Sequence, residues 1–282
     1  MHGYVGNLGV LPAVEGGTGY SVQVQLLPYL EQMSLYNSIN QDVIVGFGGE
    51  NNTADLTQLS VYLCPSDTPP VVHTFYLQPR GSLASSSYAC NVGYWPQRFG
   101  YNGAFPPRYG LLQLHSRVIP EEGPWGFGGF VDGTATTALC AEWTLGDMDL
   151  SRRSENREVF RTPSATAEPG DLETFVANCR GILIQDALPF NTLRKGSHWL
   201  EGGPVSTAYN HALSVNERSC TNGPSSIGVE GGCTAGSVHV GGAHVVFADG
   251  HTGYVKSTIS LATWRALGSR NGGEVPASDA DR

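Results

Sequence analysis

Apolar positions along this chain come in short bursts separated by glycine, proline and small polar residues, a pattern that predicts many short strands and few helices. The clearest burst lies near the C-terminus, in the run His239-Val-Gly-Gly-Ala-His-Val-Val-Phe-Ala-Asp249-Gly250-His-Thr-Gly-Tyr-Val255. Residues 243–248 are apolar and β-branched enough for a strand, and Asp249-Gly250 tolerates the positive φ angles of a tight turn. Residues 251–256 then return as its partner, giving a β-hairpin with a two-residue turn. Just beyond, Ser260 can cap a helix whose apolar face is Leu261, Trp264 and Leu267 and which Gly268 ends. Upstream, Leu26, Leu27, Leu30, Met33 and Leu35 or Tyr36 recur at helical spacing. Pro28 suits the first turn of a helix, so a helix over about 27–38 with a strand-like lead from Ser21 is expected. Val61–Asp67 and Ser86–Tyr94 read as short strands ending in turn residues, and Asp132-Gly133-Thr134 leads into a strand that ends at Glu142 and Trp143.

Two stretches interrupt this rhythm. Residues 95–128 are loop-rich, with aromatics among many Gly and Pro, and residues 146–174 are the most polar part of the chain and read as an exposed excursion. Within the second, Asp147, Asp149, Ser151 and Glu158 are spaced somewhat like a calcium loop, but Arg152 stands where such a loop needs Gly, so a solvated acidic loop is expected. Residues 271–282 lack apolar content and read as a flexible tail. The rest, 1–270, suits one α+β domain: an antiparallel sheet packed against short helices and carrying the two insertions.

Composition adds limits on function. With 40% hydrophobic and 15% charged residues the chain can bury a core, and its formal net charge of −9 removes the basic footprint of a nucleic-acid binder. Six cysteines occur without a CxxC pair or a zinc-finger Cys/His spacing, which favours disulfides if the chain is exported. Cys220 and Cys233 are the best local pair, since their bond would close the Gly-rich loop between them. For Cys140, within the apolar run 138–141, a buried free thiol is the alternative.

Several of these blocks resemble the prepilin-type, processing-associated proteins abundant in planctomycetes. The likeness lies in the Leu-Leu-Pro-Tyr-Leu-Glu-Gln block at 26–32, the Cys-Pro-Ser-Asp block at 64–67, and residues 86–94. It continues in the Asp-Gly-Thr turn and following strand, and in the terminal His239-x9-Asp249-Gly250 signature. The resemblance implies a pilin-like or pseudopilin-like head and other pilin-like subunits as partners. It also implies a prepilin peptidase acting upstream of Met1, and display outside the cell. Family members begin with a basic leader and a long apolar transmembrane or filament helix. Met1–Tyr4 and Gly9–Pro12 resemble the segment just after it, so a longer precursor is expected.

Catalysis is not expected. At about 3.3 Å per residue, the strand from Gly242 to Asp249 spans about 23 Å, and a reversal at Gly241-Gly242 returns only about 10 Å for His239. His239 therefore reads as a packed or hydrogen-bonding residue, and Asp249 and Gly250 as turn chemistry. There is no Gly-x-Ser-x-Gly elbow, His-Glu-x-x-His pair or Walker loop. His198, His211, His239, His244 and His251 have no metal-ligand spacing and read as scattered surface or core residues, with no metal or cofactor assigned. An alternative from another class is an extracellular carbohydrate- or solute-binding module that stacks its ligand on Tyr94, Trp95, Tyr101 and Trp125.

Overall fold

The computed structural model describes residues 14–15, 20–43, 45, 50–69, 84–94, 102–105, 107–108, 126–147, 153–165, 170–186, 195–223 and 231–274. In chain order the strands are β1 Val14–Glu15, β2 Tyr88–Asn91, β3 Pro107–Arg108, β4 Ala138–Glu142 and β5 Val159–Arg161. They continue with β6 Ala208–Tyr209, β7 Ser219–Thr221, β8 Gly231–Gly232, β9 Gly242–Phe247 and β10 Thr252–Lys256. The α-helices are α1 Val22–Leu26, α2 Met33–Ser38, α3 Asn52–Leu56, α4 Leu172–Arg180 and α5 Leu261–Gly268. Among the described residues no helix is long and apolar enough to cross a membrane.

The fold is α+β, as the sequence implies. Its main sheet has the order β10-β9-β4-β2-β6, antiparallel throughout except that β6 joins β2 in parallel. A second sheet of order β5-β7-β8 and the short parallel pair β1-β3 accompany it.

The predicted hairpin forms, with Thr252 opposite Val246 and Lys256 opposite Gly242. Along β9, Ala243, Val245 and Phe247 are buried while His244 and Val246 face out, the period of a strand with one face on a core. The turn differs from the two-residue form expected. Phe247 N–H donates to the His251 carbonyl and Gly250 N–H to the Phe247 carbonyl, both at 2.9 Å, which makes a three-residue loop of Ala248, Asp249 and Gly250. A two-residue type I′ turn needs positive φ at both central residues, whereas here Gly250 adopts it (φ 90°) and Asp249 does not. The loop is docked by the Asp132-Gly133-Thr134 turn, since Asp249 N–H donates to the Thr134 carbonyl and Ala248 N–H to that of Thr137.

Helix α5 forms as read, its Ser260 hydroxyl accepting from Thr263 N–H. Trp264 and Leu267 pack with Trp143, Val245, Phe247, Val255 and Ile259 in the largest core cluster. Three fully buried tryptophans among the described residues each donate their indole N–H to a carbonyl: Trp143 to Ser86, Trp199 to Thr57 and Trp264 to Leu213. Burial of their large apolar surface therefore leaves no indole donor stranded. His211 lies against Trp264 with ring centroids 3.7 Å apart, and Gly268 closes over it. A Cβ on Gly268 would sit 2.5–2.8 Å from three atoms of the His211 side chain. Gly268→Ala should therefore destabilise by about 1–3 kcal/mol through overpacking, although alanine is the better helix former by about 1 kcal/mol. Denaturant titration checks this, and a stabilised variant would contradict the packing described.

Elsewhere the structure corrects the sequence reading. The helix expected over 27–38 is instead two pieces, a 3-10 turn at Leu27–Leu30 and α2, and α1 precedes them where a strand-like lead was expected. The start moves back because Ser21, not a strand-like lead, caps α1 through its hydroxyl to Val24 N–H. The break falls at Glu31, held at φ 60° with its N–H on the Leu27 carbonyl. Residues 61–67 are no strand: Ser60–Tyr62 is a 3-10 turn, and Cys64-Pro-Ser-Asp67 closes a β-turn with Asp67 N–H on the Cys64 carbonyl. The polar stretch 146–174 is only partly an excursion. Glu158, Val159 and Phe160 are buried, β5 pairs with β7, and Asp171 caps α4. Asp149, Ser151 and Arg152 lie outside the described residues. Residues 271–274, read as the start of a tail, are tied to the Asp132 carboxylate by the N–H groups of Gly272 and Gly273; residues beyond 274 lie outside those described.

The expected Cys220–Cys233 bond is absent, and Cys220 is joined to Cys179 instead. Register supplies the reason. Cys220 lies opposite Gly232 in the β7–β8 ladder, so Cys233, one residue on, turns to the other side. Cys233 packs into the main core with Trp143, while Cys220 packs with Phe160, Phe175 and Val176 beneath α4. The bond thus pins α4 to the second sheet.

Candidate functional site

Three side chains from distant segments meet at one end of β9. The Cys64-Pro-Ser-Asp67 turn presents Cys64; Asp67 at its other end accepts from Leu145 N–H at 2.8 Å and pairs with Arg157 at 2.8 Å, which fixes the turn against the segment following β4. Glu142 is the last residue of β4. His239 stands in the loop before β9, its N–H on the Ser237 hydroxyl. The ligand atoms of Cys64, Glu142 and His239 all lie within 4.8 Å of one another, with the Cys64 sulfur 3.6 Å from Nε2 of His239.

Cys64 and Glu142 are buried, at 5% and 7% exposure, and His239 closes the cluster from the solvent side. Glu142 is held from behind: its Oε2 accepts from His244 N–H at 2.9 Å and lies 3.2 Å from His244 Nδ1. Tyr88, opposite Glu142 in the β2–β4 ladder, flanks the same group. Burial first, then the neighbouring Cys64 and Glu142, hold its phenol above the ordinary range. The set offers sulfur, nitrogen and oxygen donors in one place, half sheltered and open to solvent at the imidazole.

Of the signature residues, His239 and Asp249 sit at opposite ends of β9. Asp249 belongs to the hairpin loop, where its carboxylate accepts from His251 N–H and lies 2.6 Å from His251 Nδ1. Those contacts, the backbone one first, pull its carboxyl below the usual value. Gly250 supplies the loop's positive φ. Tyr94 is part buried and packs against the cluster of Phe160, Leu172 and Phe175. Trp95, Tyr101 and Trp125, the other proposed stacking residues, lie outside the described residues, as does Met1–Pro12.

Two further histidines are buried in opposite states. His198 lies 2.8 Å from Asp55 and 3.4 Å from Glu201. Burial opposes its charge, yet the two carboxylates outweigh that and raise it to about 9. His211 is lowered to about 3 by burial, against the Trp264 carbonyl. As a neutral ring it donates from Nδ1 to that carbonyl at 2.7 Å, leaving Nε2 to accept from the Tyr209 hydroxyl at 3.1 Å.

Sequence reading passed over Cys64 and Glu142 as site residues and set His239 aside as a packing group. No local spacing joins residues 64, 142 and 239, so only their places in three of the blocks carrying the resemblance could have grouped them. No curated protein and no solved structure matches the chain. A family model does, over residues 1–262, with the description "Protein of unknown function (DUF1559)". With nearly its whole length covered by that model, the chain belongs to the DUF1559 family.

Proposed function

We propose that this chain is a non-catalytic, pilin-like or pseudopilin-like surface subunit. In this reading it is exported, processed by a prepilin peptidase and assembled with other pilin-like subunits into a filament or secretion-linked appendage. The observation that carries the reading is the buried Cys179–Cys220 disulfide, since structural disulfides form and persist outside the reducing cytosol. The sequence resemblance supplies the pilin class. Assembly needs outward apolar surface, and Leu26, Tyr29 and Met33 in the opening helical segment are 37, 69 and 50% exposed. The blocks that resemble prepilin-type proteins also perform structural tasks: Asp132 ties down the segment after α5, Asp67 clamps the segment after β4, and Gly250 turns the hairpin.

Export also makes a prediction about a second cysteine pair. Cys90 and Cys140 stand directly opposite each other in β2 and β4 with sulfurs 2.9 Å apart, close to the roughly 2.05 Å of a bond. Burial, and then the Cys140 thiol, push Cys90 well up, so it reacts only slowly as a thiolate. An oxidising compartment with a disulfide donor should nonetheless close it. Peptide mapping of native protein without reduction is expected to find Cys179–Cys220 and Cys90–Cys140 bonded, with Cys64 and Cys233 as thiols. All six cysteines recovered as thiols from native material would overturn export.

A further inference from the structure

We propose that Cys64, Glu142 and His239 form a binding site for a single divalent first-row transition-metal ion, zinc foremost. A thiolate, an imidazole and one carboxylate are a borderline-soft set that suits zinc and disfavours calcium and magnesium, which want oxygen. Geometry agrees. Around a tetrahedral ion with bonds of about 2.0–2.3 Å, neighbouring donor atoms sit about 3.3–3.8 Å apart. The Cys64–His239 pair already has that spacing at 3.6 Å, and the third donor falls within 4.8 Å of both.

The surroundings fit as well. Cys64 and Glu142 are fixed by the fold, one on a β-turn clamped through Asp67 and the other at a strand end, while the exposed His239 ring is free to close on an arriving ion. His244 supports Glu142 through its backbone N–H and its ring nitrogen, the kind of outer contact that orients a metal-bound carboxylate. Charge balances: binding releases the Cys64 proton to solvent, and the thiolate and the Glu142 carboxylate together neutralise the two positive charges of the ion, with His239 neutral. Three protein donors leave a fourth position on the solvent side for water. The ion would tie the Cys64 turn, the end of β4 and the loop before β9 into one unit, and this holds whether or not the chain assembles into a filament.

The test is titration of the purified full chain, its Cys179–Cys220 disulfide intact, with Co2+ under anaerobic conditions and without reductant, followed by absorption. The expected result is one ion per chain, a thiolate-to-cobalt charge-transfer band, and displacement of that band by Zn2+. Cys64→Ser should abolish the band. The exposed His239→Ala, which leaves the core untouched, should weaken affinity by more than about tenfold, and His244→Ala by about tenfold. His251→Ala, at the far end of β9, should change nothing. A titration without the charge-transfer band, a band that survives Cys64→Ser, or His239→Ala binding as tightly as the parent would each overturn the proposal.

Discussion

Stability should be greatest near pH 6.5 and should fall on either side, because the buried His198 and His211 are shifted in opposite directions from that value. On the acid side, an unfolded chain takes up a proton at His211 that the folded one, with its value near 3, refuses. Stability is therefore lost as pH falls from 6.5, by up to about 5 kcal/mol on reaching pH 3. On the alkaline side the folded chain holds a proton on His198, value near 9, that the unfolded one releases. That contribution is complete below pH 6.5 and is lost as pH rises, reaching about 3 kcal/mol by pH 9. Lys195, pushed down to about 8 by burial, works the other way from pH 8 upward, so the His198 limb is cleanest between pH 6.5 and 8. Denaturant unfolding at several pH values checks both limbs. His198→Gln should flatten the alkaline limb and His211→Asn the acid limb down to about pH 5, below which carboxylates join in. Stability that rises steadily from pH 5 to 8 would contradict the protonation states assigned.

The second large effect concerns the disulfide. Cys179 and Cys220 are 41 residues apart, and closing a loop of that length restrains the unfolded chain by about 4 kcal/mol in the chain-entropy account. The double variant Cys179→Ala/Cys220→Ala should lose stability of that order. Hydrogen exchange should quicken first in α4, which the bond pins to β7, and last in the strands β4 and β9 at the centre of the main sheet. A loss below about 1 kcal/mol, or uniform loosening across both sheets, would contradict the role described.

The sequence was most informative where structure is local. Alternation in β9 and β10 and the Ser260 cap are each decided within a few residues, so the hairpin strands and α5 could be read directly, while the turn between the strands proved one residue longer than the Asp-Gly pair suggests. The break at Glu31 was hidden because a non-glycine residue adopts the left-handed conformation there, against its ordinary preference. The disulfide was misread for another reason. Nearness in sequence favoured Cys233, but ladder register decides which way a side chain points, and the register of β7 and β8 turned Cys233 away. The polar stretch 146–174 misled because average composition concealed Val159 and Phe160, two buried residues that join β7. The Cys64–Glu142–His239 cluster lay furthest from view. Its members are brought together only by the sheet and by the clamp at Asp67, and neither leaves a periodic signal in the chain.

An exported, assembling subunit must be found outside the cell in large particles. The direct measurement is to shear native cells, separate the released surface material by size, and detect this chain with an antibody to its folded head. The account predicts recovery in a high-mass, protease-accessible surface fraction, with the Cys179–Cys220 bond intact. Recovery as a monomer in the cytoplasmic fraction, with Cys179 and Cys220 as thiols, would contradict it.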